Sequence, residues 1–282
     1  MPLVPDACHS TLAFRGRNDA RMRAVVLFGG LGAAIASAAS ADPICADRPG
    51  KATSACTVPD GHWQVETGLA DWSLQKDGGE RDTSLTIGAT TFKYGISDSA
   101  DVEVAVTPWE RQTSSGPGFH DSASGVGDVD IIYKQRLTAA SAPAQLVAMP
   151  FVKLPVAKQP LGNGEVEAGL KLPVGYSIPK TPLSLGLTPE LDWAADADGH
   201  GHHAAMVQVA SIGWAVTHKF TLSGELWHQW DWDPAGTTRQ ASADAAAAYD
   251  VNDNLQLDGG ANFGLNRATP DIELYAGVSK RF

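Results

Sequence analysis

Imidazoles and carboxylates crowd into one stretch of this chain, Asp196-Ala-Asp-Gly-His-Gly-His-His203. Side chains of these types at this density bind Zn²⁺, Ni²⁺ or Cu²⁺ with modest affinity. A stronger site needs a rigid surrounding shell that fixes each ligand, which a glycine-rich link rarely supplies. The run therefore reads as a solvated loop tip, and no metal ligand is assigned. A second cluster, Trp227-His-Gln-Trp-Asp-Trp-Asp233, has the rings to stack a sugar or an arene. Indoles with a polar N–H suit a membrane interface better, so the run reads as part of an aromatic girdle. Hydrolysis would need a serine or acid beside a histidine. Ser223, Glu225 and His228 share a strand, but His228 has the opposite parity, and no Gly-x-Ser-x-Gly elbow occurs. Gly125-Val-Gly-Asp128 runs into a strand instead of a helix, so it is no phosphate loop. No catalytic or cofactor-binding residue is assigned, and the chain reads as a non-enzyme.

What remains is a set of charges at alternate positions of extended segments. From Gly61 onward, apolar residues recur with a period of two between turn-rich links. The tail is the clearest case. In 271–282, Ile272, Leu274, Ala276, Val278 and Phe282 share one parity, and Asp271, Glu273, Tyr275, Gly277, Ser279 and Arg281 share the other. One face in lipid and the other in water demands that pattern. The spacing predicts twelve strands: 63–74, 83–94, 101–111, 125–137, 144–154, 165–176, 183–194, 204–216, 219–230, 240–249, 254–265 and 271–282. Segments of this length exceed the usual strand of a soluble sandwich. An all-β, single antiparallel transmembrane barrel is the expected fold, with short links at one end and longer polar links at the other. The long polar link 112–124 is among the latter. Trp72, Trp109, Trp193, Trp214, Trp227, Trp230 and Trp232 fall near strand ends, where interfacial girdles lie. Pro150, Pro173 and Pro189 sit inside predicted strands, each removing a ladder N–H that a bulge would excuse.

The polar parity assigns the lumen. Glu103, Asp128, Asp130, Lys134, Arg136, Glu165, Glu167, Lys171, Glu190, Asp258, Glu273 and Arg281 are the inward candidates, with Arg111 and Asp192 beside them. Charges enclosed there need partners, and Asp128 or Asp130 with Lys134 or Arg136 are the natural ones. Twelve strands lie between an interior filled by side chains and an open water channel.

The N-terminal stretch reads as an address. Arg21-Met-Arg23, an apolar run 24–36 and a small-residue site at Ala39-Ser40-Ala41 compose a secretory signal peptide, with Met22 as the expected start and Asp42 as the first mature residue. No later run is apolar enough for a spanning helix. Removing residues 1–41 takes four Arg and two Asp from 21 basic and 32 acidic residues, leaving 17 and 30. That acidity argues against nucleic acid as a partner. Cys45 and Cys56 are an even pair in an exported chain, so a disulfide between them is expected, within a periplasmic segment 42–61. No plug domain is expected ahead of the strands.

The chain resembles an outer-membrane transporter family described as "putative MetA-pathway of phenol degradation". The residues that carry the resemblance are Cys45 with Cys56-Thr-Val-Pro59, Gly61-His-Trp-Gln-Val-Glu66, Tyr94-Gly-Ile96, Gly125-Val-Gly-Asp-Val129 with Tyr133-Lys134, Pro150-Phe-Val-Lys-Leu-Pro155, Asn262-Phe-Gly-Leu-Asn266 and Tyr275-Ala-Gly-Val-Ser-Lys-Arg-Phe282. It implies an outer-membrane barrel passing small organic molecules, and it carries no site residues over. The expectation is passive passage of small molecules, aromatic or apolar ones among them, across the outer membrane of a Gram-negative cell. The alternative is a structural or adhesive barrel acting through its extracellular loops. Expected partners are outer-membrane lipid, a small-molecule solute and the barrel-insertion machinery, which would engage the last strand ending in Phe282. No cofactor is expected.

Overall fold

Period-two alternation becomes a closed wall in the computed structural model, which describes residues 44–282; the expected signal peptide lies outside the described residues. Sixteen strand segments follow one another. They are β1 (Trp63–Asp77), β2 (Glu80–Ile87), β3 (Ala89–Ser97), β4 (Ala100–Val106), β5 (Trp109–Gly116), β6 (Phe119–Gly125), β7 (Val129–Arg136) and β8 (Ala144–Leu154). The second half comprises β9 (Glu167–Lys171), β10 (Val174–Ser177), β11 (Leu183–Ala195), β12 (His202–Ala215), β13 (Phe220–Asp233), β14 (Gly236–Asn252), β15 (Leu255–Gly264) and β16 (Ile272–Arg281). Four pairs, β2/β3, β4/β5, β6/β7 and β9/β10, are single staves with a short break, which gives twelve staves in all. Every pairing is antiparallel, and β16 returns to β1 from Gln64↔Arg281 to Leu74↔Ile272. The last residue is tied down as closure requires: the Phe282 N–H donates to the Trp63 carbonyl at 2.8 Å.

Burial runs inside out relative to a soluble domain. Phe92, Val102, Val104, Ile131, Leu187 and Leu226 are exposed, whereas Gln64, Glu66, Lys93, Asp101, Lys134 and Ser279 are buried. A sandwich would hide the first set and show the second, since ion-forming residues are almost never enclosed unless paired. The greasy face therefore meets acyl chains, and the fold is a membrane-spanning barrel. Leu226 is 62% exposed near the middle of β13. Arginine there is expected to cost roughly 2–4 kcal/mol of stability, read by urea unfolding in lipid vesicles. A change within a few tenths would place Leu226 outside the bilayer core.

Three sequence expectations are revised. The link 112–124 is not a loop: β5 and β6 form a hairpin through Pro117-Gly118, with Gly116 opposite Phe119. The two ends are distinguished less by link length than by strand overhang. At the far end, β1/β2 turns through Gly78-Gly79 and β13/β14 through Pro234-Ala235, as tightly as any turn at the near end. Those hairpins stand proud of the wall as ladders instead of loops. The prolines need no bulge. Stave β9/β10 simply breaks at Leu172-Pro173 with its register intact on both sides: Lys171 pairs with Met149 and Val174 with Leu146. Pro189 has no N–H to give, but its carbonyl accepts from Leu172 at 2.9 Å.

Candidate functional site: the occluded lumen

Alternation sends every second side chain of each stave inward, and the chain's own N-terminal segment meets those side chains. Residues 44–60 do not hang in the periplasm as the sequence suggested; they lie inside the barrel and form a plug. The backbone is fixed to opposite sides of the wall. Ile44 N donates to the Asp253 carbonyl at 2.8 Å, Thr53 N to Thr188 Oγ1 at 3.2 Å, and Val58 N to the buried Asp101 carboxylate at 2.7 Å. Glu225 accepts from Lys51 N at 2.7 Å and Ala52 N at 3.3 Å. Close approach needs missing side chains. A Cβ on Gly95 would lie 2.0 Å from the Pro59 carbonyl oxygen, and one on Gly277 would lie 2.3 Å from Arg48 Nε.

Charge pairing holds the plug more than apolar contact does. Asp47 lies between two buried lysines, accepting from Lys134 Nζ at 2.7 Å and from Lys93. Lys93 also reaches Glu66 at 2.6 Å and Glu103 at 3.7 Å. Burial alone would raise the Asp47 carboxyl, but Lys134 and Lys93 overcome it and hold it well below the usual aspartate range. The contribution of Asp47 to seating is therefore complete above the ordinary aspartate range and is lost only as pH falls through the depressed value. On the opposite side Arg48 pairs with Asp258 at 2.9 Å. Lys51 lies 3.7 Å from Asp244 and 3.9 Å from Glu273, with its ammonium 4.5 Å from the centre of the Trp227 ring. Trp227 thus faces the lumen and is not part of the girdle. Trp63, Trp109, Trp193, Trp214 and Trp232 are exposed on the outside.

Cys45 and Cys56 are joined, with Cα atoms 6.3 Å apart. Asp47, Arg48, Lys51 and Thr53 all fall inside the loop that this bond closes. Freeing a loop of this size restores chain entropy worth roughly 2–3 kcal/mol. Reduction is expected to make openings more frequent in planar-bilayer recordings; unchanged occlusion would mean the ion pairs suffice alone.

The charged residues that parity turned inward meet partners that parity alone could not name. Asp258 pairs with Arg48, Glu273 faces Lys51, and Lys134 meets Asp47. The suggested pairing of Lys134 with Asp128 or Asp130 does not form. Asp128 instead pairs with Lys153 at 3.0 Å and accepts from Ala157 N at 2.9 Å, and Lys153 also holds Glu167 at 2.6 Å. Lys171 pairs with Glu190 at 3.4 Å, and Glu103 belongs to the Lys93 cluster. Arg136 donates to the Asp98 carbonyl and Arg281 to Asn254 Oδ1, so both brace near-end turns. Arg111 lies on the projecting hairpin, bonded to Ser122. Glu165 is misplaced by sequence: it precedes β9 on the 155–166 link, with its N–H on Asn163. Asp130 lines a cavity of about 160 Å³ together with Arg48, Glu66, Thr91, Ala105 and Asp128. The hydrolase constellation does not assemble, because Glu225 is bound to the plug while His228 packs on Trp230 at 3.8 Å.

Solved structures align with this chain at low identity. The translocator domain of autotransporter NalP from Neisseria meningitidis aligns with a TM-score of 0.51 and 13% identity, over 80% of this chain and 90% of that one. The KdgM porin aligns at 0.48 with 8% identity, over 78% and 99%. The Ralstonia pickettii toluene transporter TbuX aligns at 0.44 with 10% identity, over 80% and 90%. No curated protein matches the sequence. A family profile does, from residue 46 in the plug to the closing Phe282: the chain belongs to the family described as "Putative MetA-pathway of phenol degradation".

Proposed function

We propose that this barrel is an outer-membrane channel for passive passage of small molecules, including neutral aromatic ones, with residues 44–60 as its removable occlusion. One observation carries the reading: the wall's interior is lined by charged and polar groups that meet a segment held by ion pairs. A barrel built only for rigidity is better filled by well-packed apolar side chains, because desolvating ion pairs offsets much of what they gain. Charged contacts exchange readily with water, so a segment held by them can leave without exposing an apolar core.

The lumen's balance sets the expected selectivity. Nine carboxylates take part in the luminal ion pairs (Asp47, Glu66, Glu103, Asp128, Glu167, Glu190, Asp244, Asp258 and Glu273) against six cations. Excess negative charge in a confined passage repels anions. In proteoliposomes, neutral phenol is expected to enter faster than benzoate by about tenfold at low salt, the gap narrowing as salt screens the lumen. Equal rates for both solutes, or a bilayer as tight as protein-free vesicles, would remove the transport role. Insertion is proposed to use the last strand: Phe282→Ala is expected to lower assembled barrel in the membrane several-fold, scored by heat-modifiable mobility.

A further inference from the structure

We propose that the inner face of the barrel's outer mouth carries a divalent transition-metal site formed by His203, Asp196 and Asp233, with Asp231 orienting the imidazole. The sequence suggested a solvated loop tip here. In the structure His203 is the second residue of strand β12, and its side chain is only 7% exposed. Its Nδ1 lies 2.8 Å from Asp196 Oδ1 and 3.7 Å from Asp233 Oδ2. One ligand atom from each of the three groups falls within 4.8 Å of the others. Tetrahedral zinc at ordinary Zn–N and Zn–O lengths places its ligand atoms roughly 3.3 Å apart, so the two imidazole–carboxylate distances need shifts of about half an ångström and the two carboxylates a mutual approach of at most about 1.5 Å.

Two further features point to a cation. Three carboxylates surround one imidazole, and among the described residues none of them is ion-paired to a lysine or arginine. Even a protonated histidine leaves that cluster strongly negative. The other ring nitrogen, Nε2, is buried and has no aligned hydrogen-bond partner, although Asp231 Oδ1 is 2.8 Å away. A metal on Nδ1 fixes the proton on Nε2, and a small ring rotation then directs that N–H at Asp231. This carboxylate–histidine–metal arrangement raises ligand basicity.

The supporting shell is also rigid, which the glycine-rich sequence did not foretell. Asp233 accepts from Ala197 N at 2.7 Å and Ala235 N at 2.6 Å. The neighbouring His202 stacks on Trp193 at 3.6 Å and bonds the Val166 carbonyl at 2.8 Å. One nitrogen with carboxylate oxygens suits Zn²⁺ or Mn²⁺ better than soft, thiolate-seeking ions. Bound there, the ion would join the β11–β12 link to the β13–β14 hairpin at the channel mouth.

The test is calorimetry of the detergent-purified full-length barrel, stripped with chelator and titrated with Zn²⁺ and with Mn²⁺. One equivalent is expected to bind at micromolar concentration. His203→Gln should abolish it, and Asp196→Asn or Asp233→Asn should weaken it at least tenfold. Asp231→Asn, acting on the ring alone, should weaken it by about 10–100-fold while keeping one-to-one stoichiometry. His200→Ala removes an exposed neighbouring imidazole and should change nothing. Thermal melts of each apo variant confirm the barrel is intact, and if His203→Gln does not assemble, the two asparagine variants decide. Saturation needing millimolar metal, binding unchanged in those variants, or binding lost with His200 would each overturn the site.

Discussion

Deleting residues 44–60 is expected to raise the conductance of the reconstituted barrel by about tenfold or more, because the segment fills what a twelve-stave cylinder otherwise leaves to water. The wall should survive the deletion. Its closure is made by β1 and β16 and by the Phe282–Trp63 hydrogen bond, none of which involves the plug. The deletion does leave Lys93 with Glu66 and Glu103 and frees Asp258 from Arg48, but these groups then face water instead of a desolvated contact. Single-channel recording gives the readout. Larger, steadier currents with unchanged heat-modifiable mobility are the expected pair of results. Currents equal to those of the intact protein would mean that something other than this segment blocks the passage, and the occlusion reading would fall.

The wall was legible in the sequence because a lipid-facing barrel imposes one constraint at every second residue. Val102/Val104, Ile131/Tyr133 and Leu257/Phe263 all point outward as their parity requires. Errors arose where that constraint stops. Beyond the membrane the hairpin of β5 and β6 has no lipid on either face, so residues 112–124 carry serines, glycines and charges and read as a loop. Stave β1 shifts register between Gly68 and Ala70, placing Leu69 out of the two-residue rhythm. The plug was invisible for a different reason. Asp47-Arg-Pro-Gly-Lys51 has no periodicity, and its partners on the wall stand 18 to 222 positions along the chain. Alternation states that Lys134, Asp258 and Glu273 face inward; it cannot state that the opposite charge comes from the chain's own beginning. The metal cluster was hidden likewise, since Asp231 and Asp233 arrive from the neighbouring strand across the 205↔231 register.

The second large effect is expected from Asp47→Asn. Among the described residues, Asp47 is the partner in the ion pair of Lys134 and in one of three for Lys93. The substitution keeps shape and an acceptor oxygen but removes the charge, leaving Lys134 beside a neutral amide while itself about 1% exposed. Removing one member of a buried pair costs about 3–5 kcal/mol; Asp47 keeps 18% exposure, so about 3 kcal/mol is the appropriate figure. Nearly all of that loss should fall on plug seating, because in the vacated state Lys134 is hydrated whichever residue occupies position 47. Open probability should therefore climb by about two orders of magnitude, given tenfold per 1.4 kcal/mol. Lys134→Met in the same chain removes the stranded ammonium and should recover a large part of the occlusion. A coupling energy of 1 kcal/mol or more in that double-mutant cycle is the expected signature. If the two substitutions simply add, Asp47 and Lys134 do not act on each other, and the charge-held plug loses its principal support.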